Sequence, residues 1–587
     1  MTRGERRWVW LAGLGLAALA YLPALLRLDA AGPGDWPWFH HQWEAARIAL
    51  LRFGELPTWD PHHCGGVTAW AQPQAQIWSP TWWLTGLPFG TVVGSKLFVL
   101  AHYAAGFAGT YAVARRLYGL GAAASALAAA AWAFGGFFAW RGVLGHATFL
   151  SFHLAPWALY GFRRGQGDPR WCALSAGALA LMLFEGGTAP FPFALLLLGL
   201  DALRRPGWPT LRAGAITLGL TALLGAARWA PIARALTDAP RQTPLLDALE
   251  LPELIHALVA RHPHPAHFDP HPWEWMEYGA YVGVGVLLLA GLGAALALRR
   301  GRRHLVIGAL LFGALALGAR GDGWPWPLLH GLPVFEQLRI PSRFSVLLTF
   351  HLALLAGLAL HASRAALLRA APDRRLRALI ALLAWAAPVG VALDLADQHA
   401  HLAQRWRGAP ILGAPARRFH LVDDGEAYLE RMKSYPRMHV GTARCYDPVP
   451  WPEVHRLWRG DRPQARADGG PELRVHGFER TARAFTLDVE LAAPGVVVVN
   501  QRHDPSWTIA PGEARADSAG RLSIALPAGR HRVRGRHEPP DLGWAWLLTA
   551  LGAALAVALA RARRLKRPPP ASNPRAIRGP RPGGGHA

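Results

Sequence analysis

Between residues 34 and 67 the chain reads GDWPWFHHQWEAARIALLRFGELPTWDPHHCGGV, which crowds Asp35, Glu44 and Asp60, four histidines and four tryptophans into one short segment. A carboxylate in such a place either takes a proton from an attacking hydroxyl or closes the start of a helix. Imidazoles and carboxylates together are also the ligand types of a metal site. Three groups have those types: His40, His41 and Glu44; Asp60, His62, His63 and Cys64; and, in RHPHPAHFDPHPWEW, His262, His264, His267, Asp269 and His271. None has a spacing that demands a metal, and HExxH is absent, so no metal ligands are assigned and the need for a divalent ion stays open. Farther along, His146 in GH, Glu185 in FEGG, and Glu274 and Glu277 in WEWMEYGAYVG lie near the ends of apolar stretches. A charge at the centre of a membrane helix costs ~2.5–3.5 kcal/mol even on the lenient insertion scale, so Glu185 and Glu277 face either a cavity or a wet interface. Arg339 and Arg343 flank Pro341 in LRIPSRF. A guanidinium fork matches a pair of phosphate oxygens, while an ion pair to Glu336 accounts for the same residues without a ligand.

These residues are set among elements that read as membrane spans. The chain has 587 residues, of which 52% are hydrophobic and only 17% charged, with 27 tryptophans. Its mean hydropathy is +0.14. That is the profile of a polytopic membrane protein. About twelve stretches have the roughly 17–25 apolar residues that cross a bilayer. They lie near 8–27, 92–113, 120–139, 146–162, 171–186, 189–203, 212–231, 278–298, 304–319, 343–361, 377–393 and 542–560. MTRGERR before the first is not followed by a clear cleavage pattern, so that stretch is expected to be a retained anchor.

Lys and Arg concentrate in every second loop, in MTRGERR, RR at 115–116, RRGQGDPR, RRPGWPTLR, RRGRR, RAALLRAAPDRRLR and RARRLKRPPP. By the positive-inside bias all seven belong in the cytoplasm, which places both termini inside. The same arginines account for much of the net charge of +24, so no nucleic-acid partner is implied. Membrane lipid is the expected surrounding. The loops 28–91, 140–145, 187–188, 232–277, 320–342 and 394–541 then face outward. Cysteines number three, Cys64, Cys172 and Cys445, with no CxxC. Cys64 and Cys445 both fall in outward, oxidising loops, and their pairing stays open.

The expected organisation is a membrane domain over 1–393 with a large first outward loop at 28–91. In that loop Trp36, Phe39, Trp43, Ala46, Leu50 and Phe53 recur at helical spacing, ahead of Gly54, Pro57 and Pro61. An amphipathic helix lying on the membrane surface follows, with Asp35 at its N-cap and Glu44 on its solvated face. Trp59, Trp70, Trp78, Trp82 and Trp83 suit the headgroup region. An outward domain spans 394–541 and turns β-rich from about 472, where RAFTLDVEL, GVVVVNQ, RLSIALP and HRVRGRH alternate between turns. Period two in short runs suggests a β-sandwich, with Trp507 either in its core or available to a carbohydrate. A final transmembrane helix at 542–562 precedes a basic Pro/Gly-rich tail, 563–587, expected to be disordered in the cytoplasm.

The run GELPTWDPHHCGGVTAWAQPQAQIWSP, together with FGGFFAWRGVLGH, WEWMEYGAYVG, LPVFEQLRIPSRF, VVVVNQRHDPSWT and LPAGRHRVRGRHEPP, resembles the YfhO-like family of bacterial membrane proteins over nearly the whole chain. That family is similar in architecture to GT-C glycosyltransferases, which take a sugar from a polyprenyl-phosphate carrier at the outer face. The resemblance implies a bacterial cytoplasmic (inner) membrane as the location, a GT-C-like helical membrane domain, a polyprenyl-phosphate sugar donor and a cell-envelope glycan or lipid as acceptor. It implies an acidic residue in the first outward loop just after the first span, a position held by Asp35. On that basis Asp35 is expected to be the catalytic base, supported by groups drawn from Asp60, His146, Glu185 and Glu277, with Arg339 and Arg343 on the phosphate. The alternative is a lipid or polymer transporter, or an envelope scaffold without chemistry. A transporter favours polar groups at the midplane of broken, paired helices. Here they gather in outward loops, which favours the enzyme.

Overall fold

The structure is a computed structural model, and it describes residues 2–562 apart from 239–242, 244–246, 263–273, 424, 426, 447–450, 452–453, 455 and 468–471. The tail 563–587 and the residues His264, His267, Asp269 and His271 therefore lie outside the described residues. The chain is rich in helix up to Ala403 and turns to β-sheet near its C-terminus.

Every apolar stretch named above falls on helical structure. Among the described residues, four helices are long and apolar enough to cross a membrane: Thr91–Leu117, Pro341–Ala370, Arg374–Ala403 and Leu542–Arg561. Two bent pairs, Ala122–Ala133 with Gly136–Val143 (42°) and Trp208–Leu224 with Ala226–Thr237 (77°), raise the number to six if each is one span. The helices Pro169–Phe184, Pro190–Leu203, Val284–Arg299 and Arg303–Ala316 are apolar but shorter. Thr91–Leu117 and Pro341–Ala370 are the central pieces, each with 83% of its apolar window inside the protein, against 17% for Arg374–Ala403 and 11% for Leu542–Arg561. The Ala-rich helix Ala122–Ala133 is buried along almost its whole length and packs on the central pair. Small side chains let helix backbones approach closely where lipid offers no hydrophobic drive.

Helix Arg374–Ala403 departs from expectation at its C-terminal end. Asp373 caps it through the Leu376 amide at 2.8 Å, and its 30 residues make it about 45 Å long at ~1.5 Å per residue. A hydrocarbon core of ~30 Å is shorter than that. The apolar run ends near residue 393, but the helix continues and carries Asp394, Asp397, Gln398 and His401 past it.

The first outward loop is not a surface platform. The helix Trp36–Arg52 buries Trp36, Trp38, Phe39, His40, His41, Gln42, Trp43 and Glu44. It is enclosed by the helix Thr91–Ala112 and by the turns Met432–Ser434 and Tyr435–Met438, so its indoles meet protein rather than lipid headgroups. Glu44, expected on a solvated face, is 1% exposed. It accepts from Arg437 at 2.8 and 3.0 Å and from Thr91 Oγ1 at 2.6 Å.

A two-residue pair, β1 Trp59–Asp60 with β2 Val67–Thr68, ends the crowded segment. Strands then begin slightly earlier than expected, at β3 Ala465–Ala467, followed by β4 Leu473–Arg480, β5 Ala484–Leu491, β6 Gly495–Arg502, β7 Trp507–Ala510, β8 Ala514–Ala516, β9 Arg521–Leu526 and β10 Gly529–His537. They form two antiparallel four-stranded sheets, ordered β4-β5-β10-β7 and β3-β6-β9-β8. Phe485, Leu487, Val489 and Leu491 of β5 alternate inward toward Val497, Val499, Leu522 and Ile524. Trp507 belongs to this core rather than to a carbohydrate surface, being 5% exposed.

The β-region shares that core with the first loop. Trp59 packs edge-on to Trp507 at 5.2 Å and near His537 at 4.9 Å. Glu55 accepts from Thr481 Oγ1 at 2.9 Å and from the Arg483 amide at 3.1 Å. A strap at 440–446 completes the join. Thr442 N donates to His62 O, Gly65 N to Thr442 O and Cys64 N to Arg444 O, at 3.1, 2.8 and 3.2 Å. Cys64 and Cys445 form a disulfide beside this ladder, with their Cα atoms 4.5 Å apart. Both thiols are therefore expected to resist alkylation in the unreduced protein and to label only after reduction. Labelling of both without reductant, with unchanged gel mobility on reduction, would rule the bridge out.

Candidate active site

Asp35 owes its position to two glycines. Gly34 has φ +65° and Gly145 φ +89°; a Cβ on Gly34 would stand 2.2 Å from Leu144 O, and one on Gly145 2.2 Å from Trp36 N. Only glycine allows that backbone shape at so close an approach. The two turns are pinned by Asp35 N donating to Leu144 O at 2.9 Å and by Trp36 Nε1 donating to Gly142 O at 3.1 Å. His146 follows directly, and its Nε2 lies 3.3 Å from Asp35 Oδ2. Asp35 does stand at the N-cap of Trp36–Arg52, but its carboxylate makes no capping bond. It accepts instead from the Tyr446 hydroxyl, in a short hydrogen bond. With 28% of its side chain exposed, Asp35 can be reached from outside.

The second carboxylate is Glu277, 4% exposed, in the short helical turn Trp275–Tyr278. Arg343 grips it with both arms of its fork, Nε to Oε2 at 3.0 Å and Nη2 to Oε1. Arg141 donates to the Glu277 carbonyl at 2.7 Å and to Oε2 at 3.4 Å, and Ser342 Oγ to the same carbonyl at 2.9 Å. His146 Nδ1 lies 3.8 Å from Glu277 Oε1, so the imidazole stands between the two carboxylates. Burial pushes the Glu277 carboxyl up, yet Arg343, His146 and Arg141 outweigh it and hold it well below the usual carboxylate range. Arg339, half-buried, completes the group. Burial and the neighbouring Arg343 lower its pKa, while Glu277, Asp35 and Tyr446 raise it.

Five residues singled out from the sequence, Asp35, His146, Glu277, Arg339 and Arg343, thus converge. Arg343 pairs with Glu277 rather than with Glu336. Asp60 and Glu185 are held elsewhere. Asp60 bonds His41 Nε2 at 2.7 Å and the His62 amide at 2.9 Å. Glu185 bonds His102 Nε2 at 2.7 Å, Thr81 Oγ1 at 2.7 Å and Ser79 Oγ at 3.3 Å. Among the described residues no hydrogen bond or ion pair joins either to Asp35, His146 or Glu277. Each is a buried polar group satisfied locally, and its carboxylate has neighbours of its own. Glu274 is exposed.

Sequence reasoning missed two members. Arg141, fully buried, stands in the apolar FFAWRGV, and a lone arginine inside such a run is itself a signal of a buried partner. Tyr446 offers no such signal, because it reaches Asp35 across 411 residues of chain. Several of the histidines weighed as metal ligands bond protein groups. His40 bonds Ser95 Oγ at 3.1 Å, His41 bonds Asp60, and His62 bonds the Val440 carbonyl at 2.7 Å. Among the described residues no three His, Cys, Asp or Glu side chains converge as a metal ion requires.

No family model matches the sequence, and no curated protein matches it; the likeness to the YfhO-like family rests on the quoted motifs. Solved structures do resemble the fold. The arabinofuranosyltransferase AftD from mycobacteria is 18% identical, with a TM-score of 0.42 over 91% of this chain and 40% of that one. The archaeal oligosaccharyltransferase AglB from Archaeoglobus fulgidus, solved with an inhibitory peptide and a dolichol-phosphate, is 14% identical, with a TM-score of 0.41 over 75% of this chain and 65% of that one. ArnT from Cupriavidus metallidurans is 14% identical, with a TM-score of 0.39 over 73% of this chain and 84% of that one. The chain spans about two fifths of the length of AftD.

Proposed function

We propose that this protein is an integral-membrane glycosyltransferase of GT-C-like architecture that moves a sugar from a polyprenyl-phosphate carrier to a cell-envelope acceptor at the outer face of the membrane. The observation that carries this is the cluster itself: a reachable carboxylate, Asp35, beside the His146 imidazole and next to a knot of arginines. In this account the twelve apolar stretches are the spans, with both termini in the cytoplasm.

Asp35 is the base. An acceptor hydroxyl oxygen attacks the anomeric carbon and gives its proton to Asp35, while the bond from that carbon to the phosphate oxygen breaks and its electron pair leaves with the phosphate. Tyr446 and His146 hold the carboxylate in place. The leaving phosphate needs positive charge that is already fixed in position. Asp35 and Glu277 supply two negative charges and Arg141, Arg339 and Arg343 three positive ones, so the arginines outnumber the carboxylates by one. Arg339 and Arg343 meet the phosphate, with Arg343 fixed in position by its two bonds to Glu277.

A strain lacking the protein is expected to accumulate a polyprenyl-phosphate sugar, measured by mass spectrometry of its lipid extract, and to regain normal levels on complementation. Unchanged carrier lipids, with the envelope glycans also unchanged, would overturn the transferase.

A further inference from the structure

A second cavity lies at the C-terminal end of helix Arg374–Ala403, where the helix has outrun its apolar stretch. Its volume is about 220 Å³, and its walls include Arg261, His262, Asp397, Gln398, His401 and Gln404. Trp140, the residue before Arg141, stands alongside: the His262 ring meets its indole edge-on at 6.4 Å, and Arg405 lies 5.4 Å over it. The His262 and His401 rings are 5.8 Å apart across the cavity.

Gln398 is the group that asks for a ligand. It is 2% exposed and lines the cavity, yet neither its amide oxygen nor its amide nitrogen has a hydrogen-bond partner. A buried amide left open at both ends is uncommon and costly. What fills it must accept a hydrogen bond from the nitrogen and donate one to the oxygen. Vicinal hydroxyls do both.

Other ligand classes fit less well. An anion is best held by a cation in the wall itself, and there Arg261 is neutralised by Asp394 and, at 2.8 Å, by Asp397, while Arg405 lies outside the wall over the Trp140 indole. A metal needs converging ligands, and among the described residues no such set exists. The volume is below the ~300–1,000 Å³ of sites for drug-sized molecules, which leaves room for a single ring. The imidazoles and the Gln404 amide add groups that both donate and accept.

We propose that this cavity binds one uncharged sugar ring. Its identity as part of the acceptor glycan rests on the transferase function proposed above; the binding itself does not. A ring held beside Trp140 is one residue along the chain from Arg141 and the Glu277 cluster.

Saturation-transfer NMR tests this on the full chain in nanodiscs, with methyl glucoside, mannoside, galactoside and arabinofuranoside as probes and inorganic phosphate and Zn²⁺ as competitors. At least one glycoside is expected to bind, with phosphate and Zn²⁺ leaving it in place. Gln398→Leu removes two hydrogen bonds and is expected to weaken binding about tenfold or more, since each is worth roughly threefold to tenfold. His401→Ala, at an exposed position, is expected to weaken it less. Asp35→Asn is expected to bind the glycoside as the wild type does, so loss of transfer and loss of sugar binding are told apart. Binding by none of the four glycosides, which is the result for a water-filled cavity, overturns the proposal. So does binding unchanged in Gln398→Leu, or displacement by phosphate or Zn²⁺.

Discussion

Asp35→Asn is expected to lower sugar transfer by ~10²- to 10⁴-fold, the usual loss when a general base is removed, in a protein that still inserts and folds. The amide keeps the shape of the carboxylate but cannot take a proton from an acceptor hydroxyl. Its oxygen can still accept from Tyr446, and the helix loses no cap, because Asp35 makes no capping bond. Replacing a charge-assisted hydrogen bond by a neutral one costs about 1–2 kcal/mol, small beside the expected loss of rate. The measurement is transfer in membranes from a polyprenyl-phosphate sugar, with abundance and melting temperature followed in the same samples. Near-normal transfer at normal abundance would take Asp35 out of the chemistry and leave it a structural partner of Tyr446 and His146.

Much of this arrangement is written locally. Apolar runs mark the helices, alternation in RAFTLDVEL and GVVVVNQ marks strands β5 and β6, and the first outward loop after the first apolar stretch points to Asp35. Where expectation and structure part, the missing information is a partner distant in sequence. Trp36, Trp43 and their neighbours have the same helical spacing whether they face lipid or protein. The segment that covers them, at 432–438, comes nearly four hundred residues later. Glu44 reads as solvated for the same reason, since Arg437 is 393 positions away. Nearness in sequence offers Glu336 as an ion-pair partner to Arg343, whereas the structure supplies Glu277 from a turn 66 residues upstream. Hydropathy places the end of the membrane rather than the end of a helix, so Asp394, Asp397 and Gln398 read as loop while the structure keeps them helical to Ala403.

Glu277→Gln is the second large effect, and it falls on stability. Glu277 answers two arginines, and Arg141 is fully buried, with Glu277 as its anionic partner among the described residues. Breaking a buried pair by removing one partner typically costs ~3–5 kcal/mol, because the remaining charge stays out of water without compensation. The amide oxygen can accept one hydrogen bond but carries no charge, so a marked fall in melting temperature and in membrane abundance is expected. Glu277→Gln combined with Arg343→Gln removes one positive charge along with the negative one and should recover part of the loss, as coupled neighbours do. Transfer in Glu277→Gln is expected to fall with the amount of folded protein, unlike in Asp35→Asn, where activity goes and the fold stays. If Glu277→Gln melts like the wild type, the ion-paired knot does not hold the site together, and Glu277 becomes a candidate for the chemistry assigned to Asp35.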